Sequence, residues 1–128
     1  MARVLVVDDD ADIREGLRDI LEDEGHDVAE ARNGQDALAR LRALVPAPDL
    51  ILLDLMMPVM DGLEFRRQQL LDPALAGIPV VVLSADGHVD VGSTLLAATQ
   101  RLRKPIPLDQ LLALVERYSS KPSDVTDP

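Results

Sequence analysis

Four consecutive large aliphatic residues, Leu50-Ile51-Leu52-Leu53, run straight into one carboxylate, Asp54, followed by Leu55-Met56-Met57-Pro58. An uninterrupted apolar run of this length reads as a strand buried on both faces, the pattern of a central strand in a parallel sheet. Parallel sheets carry their chemistry just beyond the carboxyl ends of their strands. Asp54 stands at such an end, where a carboxylate is costly to desolvate without a partner or a task.

The rest of the chain alternates around this strand. Arg3-Val4-Leu5-Val6-Val7 is a second buried strand and ends at Asp8-Asp9-Asp10. Ile13, Leu17, Ile20 and Leu21 then fall at helical spacing, and Gly25 follows as a C′ residue. Asp27-Val28-Ala29-Glu30-Ala31 is a short strand, Asn33-Gly34 a turn or helix cap, and Ala37, Leu38, Leu41 and Leu44 mark a second helix before Pro46 and Pro48. After Asp54, Pro58 and Asp61-Gly62 form a loop, and a third helix runs through Phe65 to about Leu71. Val80-Val81-Val82-Leu83-Ser84 is a fourth strand, 89–98 a fourth helix of poor propensity, and Arg101-Leu102-Arg103 a short fifth strand. Leu108, Leu111, Leu112 and Val115 give the apolar face of a last helix. Five strands alternating with five helices imply right-handed crossovers and an open parallel sheet covered on both faces. Residues 1–118 read as one domain, and 119–128 as a disordered tail or the start of a linker.

Composition narrows the function classes. The chain has 128 residues, 47% of them hydrophobic, with Phe65 and Tyr118 the only aromatics and no cysteine. Disulfides and thiolate metal sites are excluded. No apolar run approaches the roughly 20 residues that span a bilayer, and no signal sequence is evident, so a cytoplasmic protein without membrane association is expected. A formal charge of −10 argues against direct nucleic-acid binding.

The strand ends bring chemistry together. Asp8 and Asp9, Asp54, Ser84 and Lys104 all follow strands that point the same way, so they meet in one cleft. Two carboxylates about 4 Å apart repel by roughly 4 kcal/mol at an effective dielectric of 20. A hard divalent cation resolves such a cluster, and oxygen ligands with open water positions favour Mg²⁺. A carboxylate beside Mg²⁺, an ammonium and a hydroxyl can attack phosphorus to give an aspartyl phosphate. Asp54, on the most central strand, is the best nucleophile, and Asp8 and Asp9 are the better ligands.

The pattern Leu5-Val6-Val7-Asp8-Asp9-Asp10, Asp54-Leu55-Met56-Met57-Pro58, Met60-Asp61-Gly62, Ser84-Ala85 and Lys104-Pro105 resembles the receiver domain of two-component response regulators, across residues 3–118. The resemblance implies a flavodoxin-like three-layer sandwich with strand order 2-1-3-4-5. It implies that Asp54 accepts a phosphoryl group from a phosphohistidine of a sensor histidine kinase or a histidine phosphotransfer protein. It assigns Mg²⁺ (Mn²⁺ as the alternative ion) to Asp8, Asp9, Asp54 and the Met56 backbone carbonyl, with Asp8 acting partly through water. Ser84 and Lys104 would contact the phosphoryl group, and the Lys104–Pro105 bond would be cis. Such a domain catalyses only its own phosphorylation and dephosphorylation. It signals to a downstream protein through the face of the fourth helix, fifth strand and fifth helix, or through a phosphorylation-dependent dimer. Receivers carry an aromatic where this chain has Arg101, and a common Phe where it has Ile106, which puts the usual readout in question. Met56 and Asp86 occupy the positions that tune phosphoryl lifetime.

Plainer readings stand beside these. Asp8-Asp9-Asp10 alone suits a solvated helix cap, and Ser84 or Lys104 alone a surface position. Asp61-Gly62 reads as a structural turn, and His26 and His88 as exposed turn residues. Arg101 also favours a pseudo-receiver, an interaction module that has lost phosphorylation control. A phosphatase with an aspartyl nucleophile would need an acid two residues after Asp54, where Met56 stands.

Overall fold

The computed structural model describes residues 1–84 and 100–119. Its elements are β1 (Arg3–Val7), α1 (Ala11–Asp23), β2 (Asp27–Ala31), α2 (Gly34–Ala43), β3 (Leu50–Asp54), α3 (Gly62–Leu71), β4 (Val80–Ser84), β5 (Gln100–Arg103) and α4 (Leu108–Arg117). All five strands are parallel, in the order β2-β1-β3-β4-β5. This is the flavodoxin-like sandwich expected from the sequence. Four helices lie among the described residues. The expected helix over 89–98, Asp86 and His88 fall outside them, as does the tail from 120 onward.

The sheet's period of two divides its aliphatics between two cores. Leu5, Val7, Ile51, Leu53 and Val82 pack with Ala37, Leu38 and Leu41 of α2 and Phe65 of α3. Val4, Val6, Leu50, Leu52, Val81 and Leu83 pack on the other face with Leu17 and Leu21 of α1 and Leu111 and Val115 of α4. All five residues of β3 are buried. Each fully buried Leu or Ile contributes about 1.5–3 kcal/mol, so the central run is the largest local source of stability.

Local chemistry sets the helix starts. Asp10 caps α1 by accepting the Asp12 and Ile13 amides, Asn33 caps α2 through the Asp36 amide, and Asp61 caps α3 through the Glu64 amide. Gly25, at φ +89°, ends the first helix as the C′ residue.

One expectation is overturned. His26 is buried, not exposed. Its Nδ1 accepts the Ala2 amide at 3.0 Å, and its Nε2 lies 3.3 Å from Glu116 Oε2 of α4. The turn after Gly25 tucks beneath the start of β1, where α4 covers it; neither neighbour is near in sequence. A second cis peptide, Val45–Pro46, is also unannounced by the sequence. So is a buried polar pair on α3. Arg66 donates to Gln69 Oε1 at 2.8 Å, and Gln69 Nε2 donates to the Leu75 and Ile78 carbonyls at 2.9 and 3.0 Å. Gln69 thereby satisfies the turn that leads into β4.

Gly62 fits α3 against the end of β3. A Cβ there would lie 2.6 Å from the Asp54 carbonyl oxygen and 2.7 Å from Leu55 Cα, both backbone atoms that cannot step aside. Gly16 in α1 has open space instead. Gly62→Ala is expected to cost about 1–3 kcal/mol by overpacking, whereas Gly16→Ala adds about 0.5–1 kcal/mol through helix propensity. Urea midpoints that move in the same direction for both variants would contradict this assignment.

Candidate phosphoacceptor site

Register brings the strand ends level. Val7 pairs with Leu53, so Asp8 and Asp54 each stand one residue beyond that pair. Asp54 pairs with Leu83, and Ser84 with Arg103, which places the Ser84 backbone and Lys104 at the same edge of the sheet.

Asp8 is fully buried, Asp54 is 4% exposed, and Asp9 is open to solvent. One carboxylate oxygen from each of the three lies within 4.8 Å of the others. Lys104 Nζ sits 3.3 Å from Asp8 Oδ2 and 3.5 Å from Asp54 Oδ1, so one ammonium serves both buried carboxylates. Asp8 Oδ1 accepts the Asp10 amide at 2.9 Å, and the Met56 amide approaches Asp54 Oδ1 at 3.4 Å. Burial holds the Asp54 carboxyl above its ordinary value, and repulsion from Asp8 raises it further. Lys104 and the Met56 N–H offset part of that rise. Three carboxylates against one ammonium leave a negative, oxygen-only cluster whose outer member faces water. That donor set fits a hard divalent cation such as Mg²⁺.

The loop after Asp54 is tightly built. The Met60 amide donates to the Pro58 carbonyl at 2.7 Å across Val59, whose φ is +69°. Left-handed backbone is strained for a β-branched residue. The Met60 carbonyl in turn accepts the Gly34 amide, and the Gly62 amide donates to the Leu55 carbonyl. The Met56 side chain is exposed, as is Val59. The Lys104–Pro105 bond is cis.

Arg101 does not join the cluster. It is exposed on the edge strand β5, paired with Val82, while Leu102 beside it points into the core. Arg14 of α1, a polar position between the apolar Ile13 and Leu17, reaches the edge of the cluster. In the fold its Nη1 donates to the Asp8 carbonyl at 2.8 Å and its Nε to Glu30 at 2.9 Å. The contact joins positions six apart across a helix start, and no periodicity announces it.

The response regulator receiver domain model matches residues 4–116. The chain belongs to this family. The receiver is 38% identical over 129 residues to the response regulator MprA of Mycobacterium bovis BCG, covering 98% of this chain and 54% of that protein. To MprA of Mycolicibacterium vanbaalenii it is 41% identical over 113 residues, covering 87% and 47%. The receiver thus spans about half the length of these relatives. Among solved structures it is similar to the chemotaxis protein CheY4 of Vibrio cholerae, with 32% identity, TM-score 0.81, and 92% and 98% of the two chains covered. It is also similar to TrrA of Thermotoga maritima, solved in complex with Mg²⁺ and BeF, with 31% identity, TM-score 0.80, and 92% and 99% covered. Membership supports a phosphoacceptor role in two-component signalling, and receivers bind Mg²⁺ at an acidic cluster of this kind. No helix among the described residues is long and apolar enough to cross a membrane.

The raised Asp54 carboxyl gives a signed stability prediction. A carboxyl whose folded pKa exceeds its unfolded value, 3.8, costs stability once ionised. Asp54→Asn in EDTA at pH 7 is therefore expected to stabilise the receiver, by an amount on the order of 1 kcal/mol. The gain should shrink as pH falls through the raised value toward 3.8, because the wild-type carboxyl is then neutral as well. Urea titrations at pH 7 and pH 4 measure both; an equal or negative gain at pH 7 contradicts the assigned cost.

Proposed function

We propose that the receiver is a Mg²⁺-dependent switch whose phosphoacceptor is Asp54, charged by a phosphohistidine of a sensor histidine kinase or histidine phosphotransfer protein. An Asp54 carboxylate oxygen attacks phosphorus and the O–P bond forms. The N–P bond breaks, and its electron pair returns to the donor imidazole. Lys104 stabilises negative charge on the phosphoryl oxygens, and the Ser84 hydroxyl donates a hydrogen bond to them. Asp8, Asp9, Asp54 and the Met56 backbone carbonyl would hold the metal. Bound there, Mg²⁺ supplies further positive charge to the transferring group. The single observation that carries this reading is Lys104 Nζ placed within 3.5 Å of both Asp8 and Asp54, beside an acidic set within 4.8 Å.

The domain catalyses its own phosphorylation and slow dephosphorylation rather than turning over a metabolite. Its output passes to a protein, in the cytoplasm, through the face that includes β5 and α4. The −10 charge supports a protein rather than a nucleic-acid target for this domain. Arg101 favours a second reading. An exposed guanidinium on β5 cannot swing into the core as an aromatic ring does, so a pseudo-receiver with altered switching is the competitor.

Incubation with acetyl phosphate and Mg²⁺ followed by intact-mass spectrometry separates the two. A phosphoryl adduct on the wild type that disappears in Asp54→Asn is the expected result. No adduct, together with no binding of Mg²⁺ or of beryllofluoride, would favour the pseudo-receiver.

A further inference from the structure

A second charged cleft lies beside the phosphoacceptor, on the other side of β1. It has a volume of about 460 Å³ and is lined by Arg14, Glu30, Ala31, Arg32, Asp36 and Arg40. Its floor is the end of β2, where the Ala31 carbonyl accepts the Asp8 amide at 3.1 Å.

The charges in its wall do not cancel. Glu30 is neutralised twice, by Arg14 Nε at 2.9 Å on one oxygen and by Arg18 Nη1 at 2.8 Å on the other. Asp36 spends one oxygen on the Arg32 amide at 3.2 Å and faces Arg40 only at 3.9 Å. The Arg32 guanidinium has no ion pair among the described residues, and Arg14, with a side chain 16% exposed, donates through Nε and Nη1 only. Three arginines and two carboxylates therefore line the cleft, and Arg18, outside it, divides its guanidinium between Glu30 and Asp19 at 3.0 Å. The lining thus carries one positive charge in excess on a chain of net charge −10.

We propose that this cleft binds a small phosphate-bearing anion of pyrophosphate or nucleotide size. The planar guanidinium fork pairs bidentately with phosphate oxygens. The volume lies within the roughly 300–1,000 Å³ of small-molecule sites. A ligand with two or more negative charges gains more from the excess arginine charge than a monoanion does. Arg14 links the cleft to the phosphoacceptor cluster, because the same guanidinium that lines it holds the Asp8 carbonyl at 2.8 Å. The proposal goes beyond the phosphorylation reading and does not depend on it.

The test is an NMR titration of the full chain with pyrophosphate in EDTA, following backbone amides. The expected result is saturable shifts at Ala31, Arg32 and Asp36 with a Kd of about 1 mM. Binding should weaken at least tenfold in the Arg32→Glu/Arg40→Glu double variant and stay unchanged in Arg117→Glu, a charge reversal on α4. Arg32→Gln serves as a milder variant should the double reversal disturb the fold, and it too should weaken binding. Shifts centred on Lys104, no saturable shift, or undiminished affinity in the Arg32 variants would each overturn the proposal.

Discussion

The structure turns on two buried carboxylates that share one ammonium. Asp8 and Asp54 end adjacent central strands, and the parallel register leaves their side chains no distance in which to separate. Lys104 comes from the far end of the sequence to stand between them. An unpaired charge in such a position costs several kcal/mol, so the arrangement exists only if β1, β3 and the segment after β5 arrive at one edge together. The sheet order achieves this by placing β3 at the centre, where four aliphatics fix its position in both cores.

The cluster is still not neutral. Asp9 adds a third negative group, and the Asp54 carboxyl sits above its ordinary value because burial and Asp8 outweigh Lys104. The surrounding backbone is correspondingly rigid. Gly62 lies against the Asp54 carbonyl, Val59 is held in a left-handed conformation, and the Gly34 amide ties the same loop to α2. Strain and repulsion concentrate at one end of the sheet while the aliphatic cores supply the stability, a division that suits a site held ready for an added charge.

What the sequence made legible follows from this division. Runs such as Leu50 to Leu53 and Val80 to Leu83 encode buried strands by composition alone, and strands of one direction put their ends together without further information. Caps at Asp10, Asn33 and Asp61 are equally local. The unread features are those in which a polar side chain finds a distant partner. His26 disappears under α4 because Ala2 and Glu116 meet it there. Arg66 and Gln69 are buried because the turn at Leu75 and Ile78 offers carbonyls. Arg14 turns inward to the Asp8 carbonyl. Periodicity reports which face is apolar, and it is silent on polar groups whose hydrogen bonds are completed by tertiary structure.

Lys104 also explains how a local change at Asp54 could travel. A phosphoryl group there would present oxygens carrying more negative charge than the carboxylate, and the single ammonium, 3.3 Å from Asp8, would be drawn toward them. The Asp8 carboxylate would then share less of Lys104, while Asp8 stays tied through its carbonyl to Arg14 and through its amide to Ala31. Those two bonds lead to α1 and β2, the side opposite β5. Such a redistribution of charge would reach α1 and β2 without any movement of Arg101 on β5.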